Sequence, residues 1–288
     1  MNPDSYCQDR ITRSAPELNL ALQFTPPNWR ASLRALYAVY FEIRNPVDTA
    51  LEPGVAQAKL QWWSDEIRSA AQGEPHHPAT QALLAHLPSS HPRPEQWLEL
   101  MAGSQMDLTH EGYQTLHDLG LYCYRTGGVL HAMAAGVCGG SDPQTQAVAR
   151  QLGNGIRLAE LIQRTRVLAR LGRIYLPAEI LKRHEVSHDA LSKADAAPEI
   201  RAALEELTRA AEKHFEQARD ELPSANRAAL RTPLLLSKLA EYHLQQLRRN
   251  NFRFDPPGGR TEPLRRLWLL WRTAGREARA CVRQGHPR

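Results

Sequence analysis

Apolar residues recur at helical spacing along most of this sequence, whereas strand-like alternation of apolar and polar residues is rare. The longest helical stretch is TQAVARQLGNGIRLAELIQRTRVLARL, and Gly172 follows it as a plausible helix C′ residue. An earlier stretch predicts a helix from Trp29 to about Ile43. Connections are short, with local Pro and Gly residues and no linker or internal repeat. The pattern therefore predicts an all-α protein with a single domain over residues 1–288.

The composition is that of a globular protein. Of 288 residues, 42% are apolar and 23% are charged, which suffices for a large core and argues against global disorder. No run approaches the roughly 20 apolar residues of a membrane span, and the N-terminus has no apolar signal segment. Four cysteines lie far apart without a C-x-x-C pair, which argues against zinc and for reduced thiols. We expect a cytoplasmic protein, with residues 1–13 as a loosely ordered N-terminal arm and residues 273–288 as a C-terminal tail.

Positive charge is concentrated in the C-terminal part. From Arg227 onward there are fourteen Lys and Arg against four Asp and Glu, a net charge of +10, whereas the whole chain carries +5. Such a region can contact nucleic acid, anionic lipid or an acidic protein, or it can be a solvated helix face. Nucleic acid is disfavoured, because the helical spacing of Leu267, Leu270 and Trp271 would turn them to the core. Peripheral contact with the inner face of a membrane is the favoured alternative.

Five segments of the chain resemble, in order, the squalene/phytoene synthase family. They are RASLRALYA, AKLQWWSDEI, EGYQTLHDLGLYCYRTGGVL, GRIYLP, and RRNNFRFDPP with PLRRLWLLW, and together they reach from about Ser14 to Trp271. The resemblance implies an isoprenoid-synthase-like helical bundle around a central cavity. It also implies head-to-head joining of two prenyl diphosphates, with Mg²⁺ held by two clusters of acids. Carboxylates at i and i+4 share a helix face and supply the oxygen ligands that Mg²⁺ prefers, and the ion stabilises the leaving diphosphate.

The first acid cluster of the family, approximately D-D-x-x-D, is degenerate here. Counted without a gap from the LYA segment, its positions fall on Arg44, Asn45 and Asp48. Only one carboxylate of three remains. Pro46 lies between these positions and is expected to kink or end the helix.

The second acid cluster, approximately D-x-x-x-D, is also degenerate. Counted back from the GRIYLP segment, its acids fall on Arg164 and Leu168, and residues 163–171 contain no acid at all. A guanidinium cannot coordinate Mg²⁺ and repels it. We therefore expect no metal at these positions and no cofactor, with Mg²⁺ needed only if the chain is a prenyltransferase after all.

Arginine at these positions suggests direct binding of an anion, because a guanidinium binds phosphate through two parallel hydrogen bonds. If Arg44 and Arg164 face each other across a cavity, they can hold an anionic head group while the apolar central helices hold a lipid tail. The alternative is a filled or empty cavity in which the arginines pair with Glu160, Asp107 or solvent. The candidate anion- or ligand-binding residues are Arg44, Arg164, Arg173, Tyr175, Asp107 and Tyr124.

Two functions follow from the resemblance. The favoured one is a non-catalytic protein that binds a prenyl or other anionic lipid, or that acts with a protein partner in respiratory-complex assembly. The assembly role is that of the complex I assembly factors, a branch of the superfamily that has lost these acids. The polar FEIRNPVD segment resembles that branch. The alternative is an active prenyltransferase of the squalene or phytoene synthase type, which would need Mg²⁺.

Overall fold

The fold is built from helices. The computed structural model describes residues 2–49, 52–87, 92–109, 112–193, 197–223, 226–254 and 263–283, and these residues include no β-strand. Their thirteen α-helices are α1 (Pro3–Ser14), α2 (Pro16–Gln23), α3 (Pro27–Thr49), α4 (Pro53–Ala71), α5 (Pro78–His86), α6 (Pro94–Met106), α7 (Leu116–Cys123), α8 (Val129–Val137), α9 (Pro143–Arg170), α10 (Ala178–Arg183), α11 (Pro198–Asp220), α12 (Arg231–Arg249) and α13 (Pro263–Arg283). The predicted all-α class is confirmed, whereas its organisation as a single domain stays a prediction.

Proline marks where most of these helices begin. Nine of the thirteen start at a proline, whose missing N–H costs nothing in the first turn and whose φ angle already suits a helix. Pro46 is different, because it lies inside α3 and the helix continues past it to Thr49. Of the two predicted effects of Pro46, an end of the helix at this residue is therefore wrong, and a kink stays a prediction. Pro46 and Val47 are buried, and their packing holds the last turn despite the lost hydrogen bond.

The two chain ends also differ from the predictions. Residues 3–14 form α1, and Cys7 and Ile11 are buried in it against α3 and α5, so a loosely ordered arm is wrong for these residues. Helix α13 continues to Arg283, so most of the predicted tail is helical, and its last five residues lie outside the described residues. Within α13, Leu270 is buried as predicted, but Leu267 and Trp271 are exposed.

Two large apolar clusters form the core. One unites α1 to α6 and α8, and the other unites α7 to α12. Helix α9 crosses the interior and ends as predicted, with Gly172 at φ +74° just beyond its C-cap. Next to α9, residues Tyr124–Gly128 form one π-helical turn. A side chain at Gly127 would lie 2.4 Å from the Gly153 carbonyl oxygen, so the two backbones touch where only glycine fits.

Two further observations concern membrane-spanning helices and the cysteines. Within the part of the chain that the structure describes, no helix combines the length and apolar character of a membrane span. Cys7, Cys123 and Cys138 are free and buried, while the side chain of Cys281 lies outside the described residues.

Candidate ligand-binding site

A cavity of about 620 Å³ lies between the two apolar clusters. Its walls come from α1, α2, α3, α8, α9 and α12 together with the π-helical turn. Its volume is within the range of roughly 300–1,000 Å³ that small-molecule sites occupy. The sequence could not decide whether this space is open or filled, and the structure shows that it is open.

One part of the cavity wall is polar and charged. Helix α3 contributes Arg44, Asn45 and Asp48, which recur at helical spacing on one face. Helix α9 contributes Arg157, Glu160 and Arg164, also on one face. The residues at the first-cluster positions and Arg164 therefore line the same cavity, whereas Leu168 is buried in the core.

Arg44 is buried and fully engaged by carboxylates. Its Nη1 donates to Asp107 Oδ2 in a short ion pair, and its Nη2 lies 3.3 Å from Asp48 Oδ1. Asp107, the main partner of Arg44, also accepts hydrogen bonds from two tyrosine hydroxyls. Tyr122 Oη donates to Asp107 Oδ2 at 2.9 Å, and Tyr175 Oη donates to Asp107 Oδ1 at 2.5 Å.

Asp107 keeps its charge although it is buried. Burial alone would raise the pKa of this carboxyl, but the charge of Arg44 and the hydrogen bond from Tyr175 hold the pKa below its usual range. Asp107 is the C-cap residue of α6 and does not line the cavity, so it lies behind the wall as the partner of Arg44. Tyr175 is likewise buried there, and its ring packs against Tyr122 and Tyr113 with centroids 5.4 and 6.0 Å away.

The arginines of α9 are less fully engaged. Arg157 Nη1 donates to Glu160 Oε2 at 2.9 Å and its Nη2 donates to Tyr122 Oη at 2.6 Å. Its Nε atom is buried and has no hydrogen-bond partner among the described residues. Arg164 is exposed at the cavity wall, and it forms no ion pair with any residue that the structure describes. Arg164 is therefore the arginine of this pair that an anion in the cavity can reach, whereas the guanidinium of Arg157 is buried and bonded to Glu160 and Tyr122.

The remaining sequence candidates lie outside the cavity wall. Arg173 Nη2 donates to the Val47 carbonyl oxygen at 2.5 Å and its Nη1 lies 4.0 Å from Asp48 Oδ1. It therefore stabilises the C-terminal end of α3, where the unpaired carbonyls favour a cation. Tyr124 begins the π-helical turn and packs, half-buried, against the cluster of α1 to α6 and α8.

The rest of the wall is mostly apolar, with one polar pair. Apolar side chains reach it from four helices, namely Leu18, Leu130, Ile156, Leu236 and Ala240. Tyr37 Oη lies 3.1 Å from His131 Nδ1, and both residues are buried. Burial without a charged partner lowers the pKa of His131 to about 4, so this imidazole is neutral at pH 7.

Sequence analysis did not single out Arg157, Tyr37 or His131 as site residues. A signal existed for Arg157, because it precedes Glu160 and Arg164 by three and seven residues and so shares their helix face. The part of the wall that holds Tyr37 and His131 depends on how α3 packs against α8, and no local pattern encodes that packing.

Carboxylates do not gather in this cavity as metal ligands would. Within the described part of the chain, no three His, Cys, Asp or Glu side chains are grouped to hold a metal ion. Asp48 and Glu160 line the cavity, and each pairs with an arginine of its own helix. Glu17, on another part of the wall, pairs with His243 and Arg266.

Comparison with known proteins identifies the family. The family model for squalene/phytoene synthase matches residues 11–272. Phytoene synthase from Arthrospira platensis is 28% identical over 193 residues, a match that covers 62% of this chain and 62% of that protein. Presqualene diphosphate synthase from Sinorhizobium fredii is 26% identical over 236 residues, covering 81% of this chain and 84% of that protein.

The fold is that of solved relatives. A crystal structure of a dehydrosqualene synthase in complex with ligand superposes with a TM-score of 0.83 at 20% identity, covering 96% of this chain and 97% of that one. None of these three relatives is named as a complex I assembly factor, and resemblance to that branch stays a prediction. The match over most of the chain, together with the shared fold, shows that the protein belongs to the squalene/phytoene synthase family.

Proposed function

We propose that the protein binds a prenyl diphosphate, or a similar anionic isoprenoid lipid, through Arg164 and without Mg²⁺-dependent condensation. The observation that supports this proposal is an exposed guanidinium, without an ion pair among the described residues, on the wall of a mostly apolar cavity. Counting from the family motifs predicts that Arg164 stands at the position of a metal-binding acid. A guanidinium there can bind a phosphate directly through charge-assisted hydrogen bonds.

The carboxylates of this cavity do not fit Mg²⁺. Mg²⁺ requires near-octahedral oxygen ligands, usually from one or two carboxylates, phosphate and water. The two acids on the charged part of the wall, Asp48 and Glu160, each already neutralise an arginine. Asp107 is behind the wall and accepts hydrogen bonds from Arg44, Tyr122 and Tyr175. A divalent cation would have to displace these partners and remain beside the guanidinium groups, so we assign it no step.

The proposed binding mode divides the ligand between the two kinds of wall. Arg164 is exposed on the cavity wall and has no ion pair among the described residues, so its guanidinium can donate to the phosphate oxygens. The hydrocarbon chain would lie along the apolar wall, out of contact with water. This burial stabilises the complex by about 25 cal/mol for each Å² of apolar surface removed from water. Ionisation of a diphosphate ester needs its leaving group stabilised as charge develops. One accessible guanidinium carries less positive charge than Mg²⁺ ions would, so we expect binding without departure of the diphosphate.

The proposal is tested by measuring diphosphate release. The full chain would be incubated with farnesyl or geranylgeranyl diphosphate, with Mg²⁺ and with EDTA, and organic products would be extracted. We expect no release above the protein-free control under either condition. Mg²⁺-dependent release that Asp48→Ala abolishes would contradict the proposal, because one carboxylate would then suffice and the protein would be a prenyltransferase like its named relatives.

A further inference from the structure

Helix α13 exposes a continuous apolar stripe. Leu264 and Trp271 are 78% and 64% exposed, Trp268 is 51% exposed and Leu267 is 40% exposed. These positions recur at intervals of three and four residues, so they share one face of the helix. The opposite face holds α13 on the fold, because Leu270 and Ala274 are buried against α2 and α12. The exposed stripe therefore contributes nothing to the core among the described residues.

Arginines border this stripe along one side. Arg265, Arg272, Arg276 and Arg279 are exposed on the same helix, and their spacing places all four on the side of the stripe away from the buried Leu270 and Ala274. Arg272 lies 5.2 Å from the centre of the Trp268 ring. The one acidic residue in the described length of α13, Glu277, is buried and paired with Arg227 at 2.6 Å. The exposed surface of α13 thus combines an apolar stripe with a row of positive charge along one edge.

We infer that this face of α13 is a docking surface for an anionic lipid bilayer. An amphipathic helix with Trp and Leu on one face and Arg beside them lies in the plane of the membrane interface. Trp side chains suit that depth, because the ring is apolar and the indole N–H remains in reach of water or head groups. The arginines match the negative surface of the bilayer. This charge match, together with the absence of an acidic residue on the exposed face, favours lipid over a protein partner.

The inference is tested by co-sedimentation of the full chain with vesicles. Vesicles of phosphatidylcholine with about one third phosphatidylglycerol provide an anionic surface, and phosphatidylcholine alone provides a neutral one. We expect the protein to sediment with the anionic vesicles and to be released as salt shortens the range of electrostatic attraction. Arg265→Gln with Arg272→Gln should weaken this binding by about fivefold for each arginine.

Two tryptophan variants make the test specific to this surface. Trp268→Ser with Trp271→Ser should weaken anionic-vesicle binding by about tenfold or more, since the buried apolar area is lost. Trp62→Ser is the matched control, because Trp62 is 48% exposed but lies on α4, and it should bind as the unchanged protein does. Circular dichroism would show that all variants are folded. The inference would be overturned if the unchanged protein did not sediment with the anionic vesicles. It would also be overturned if the variant with Trp268→Ser and Trp271→Ser bound these vesicles as tightly as the unchanged protein.

Discussion

Arg44 and Arg164 are both predicted, by counting from short motifs, to stand at acid positions of the family pattern, and they have opposite physical situations in this fold. Arg44 is buried and held by two carboxylates. Arg164 is exposed at the cavity wall and has no ion pair among the described residues. Arginine is therefore part of the folded scaffold in one helix and accessible from the cavity in the other.

The difference follows from what each helix faces. Arg44 points to the C-terminal end of α6, where Asp107 is held by two tyrosine hydroxyls. A buried cation is tolerable only with such a partner, because desolvation of an unpaired charge is expensive. Arg164 remains partly in water and needs no partner. The account therefore predicts that these two positions respond differently to substitution.

The largest expected effect is on stability, at Arg44. Arg44→Met leaves the Asp107 carboxylate buried without its cation, which should lower the free energy of unfolding by about 3–5 kcal/mol. Chemical denaturation measures this value. Arg44→Met with Asp107→Asn should recover part of the loss, since no charge is then left unpaired.

Arg68→Met is the control for that experiment. Arg68 also pairs with a carboxylate, Asp65, at 2.8 Å, but both side chains are exposed, so the change should cost no more than about 1 kcal/mol. If Arg44→Met proved as mild as Arg68→Met, the distinction between a scaffold arginine and a ligand-binding arginine would fail.

The second effect concerns His131, a basic side chain on the apolar wall with no carboxylate beside it. Since burial lowers the pKa of His131 from 6.5 to about 4, the unfolded chain takes up a proton on this side chain at a higher pH than the folded protein. The contribution of this pKa difference to the free energy of unfolding is present in full above pH 6.5 and is lost as the pH falls towards 4. Between pH 7 and pH 4.5 this group should remove about 2 kcal/mol of stability.

Denaturation of the protein and of His131→Phe at both pH values measures this contribution. The carboxylates and the other histidines titrate in both proteins, so the difference between the two pH dependences isolates His131. Identical pH dependences would show that the imidazole is charged or solvated in the fold. A basic group would then persist on this wall without a counter-charge, contrary to our explanation for Arg44.

The smallest effect, and the most specific, is at Arg164. Arg164→Gln should change the free energy of unfolding by less than about 0.5 kcal/mol, as is usual for an exposed side chain. It should weaken the binding of farnesyl diphosphate about tenfold or more, because a hydrogen bond to a charged group contributes about 1.5–3 kcal/mol. Isothermal titration calorimetry measures the affinity.

Arg170→Gln is the matched control on the same helix. Arg170 is exposed and its Nε donates to the Ser192 carbonyl oxygen at 3.2 Å, but it does not line the cavity. Its substitution should leave the affinity unchanged. Equal losses at Arg164 and Arg170 would indicate a diffuse effect of positive charge rather than contact with the head group.

The sequence indicates the residues on the cavity wall better than it indicates the residues that pack behind the wall. Counting along the chain from short motifs singled out Arg44, Asn45, Asp48 and Arg164, and all four line one cavity. Helical periodicity makes this possible, since residues three, four and seven apart share a face. The pairing of Arg44 with Asp107 joins residues 63 positions apart, and no local pattern encodes it.

Two other features escaped sequence analysis for the same reason. Pro46 continues a helix because its surroundings are buried, although its intrinsic propensity opposes a helix interior. Trp271 is exposed because α13 packs through Leu270 and Ala274 instead, and periodicity shows that a helix has an apolar face without showing how much of it is covered. Tertiary packing decides both outcomes.

The measurement that tests the central claim most directly is the affinity of the protein for farnesyl diphosphate in EDTA and in Mg²⁺, by calorimetry. The account predicts binding in EDTA, little change on adding Mg²⁺, and a loss of affinity in Arg164→Gln under both conditions. Binding that appears only with Mg²⁺ and is indifferent to Arg164 would contradict it, because a metal rather than arginine would then hold the diphosphate.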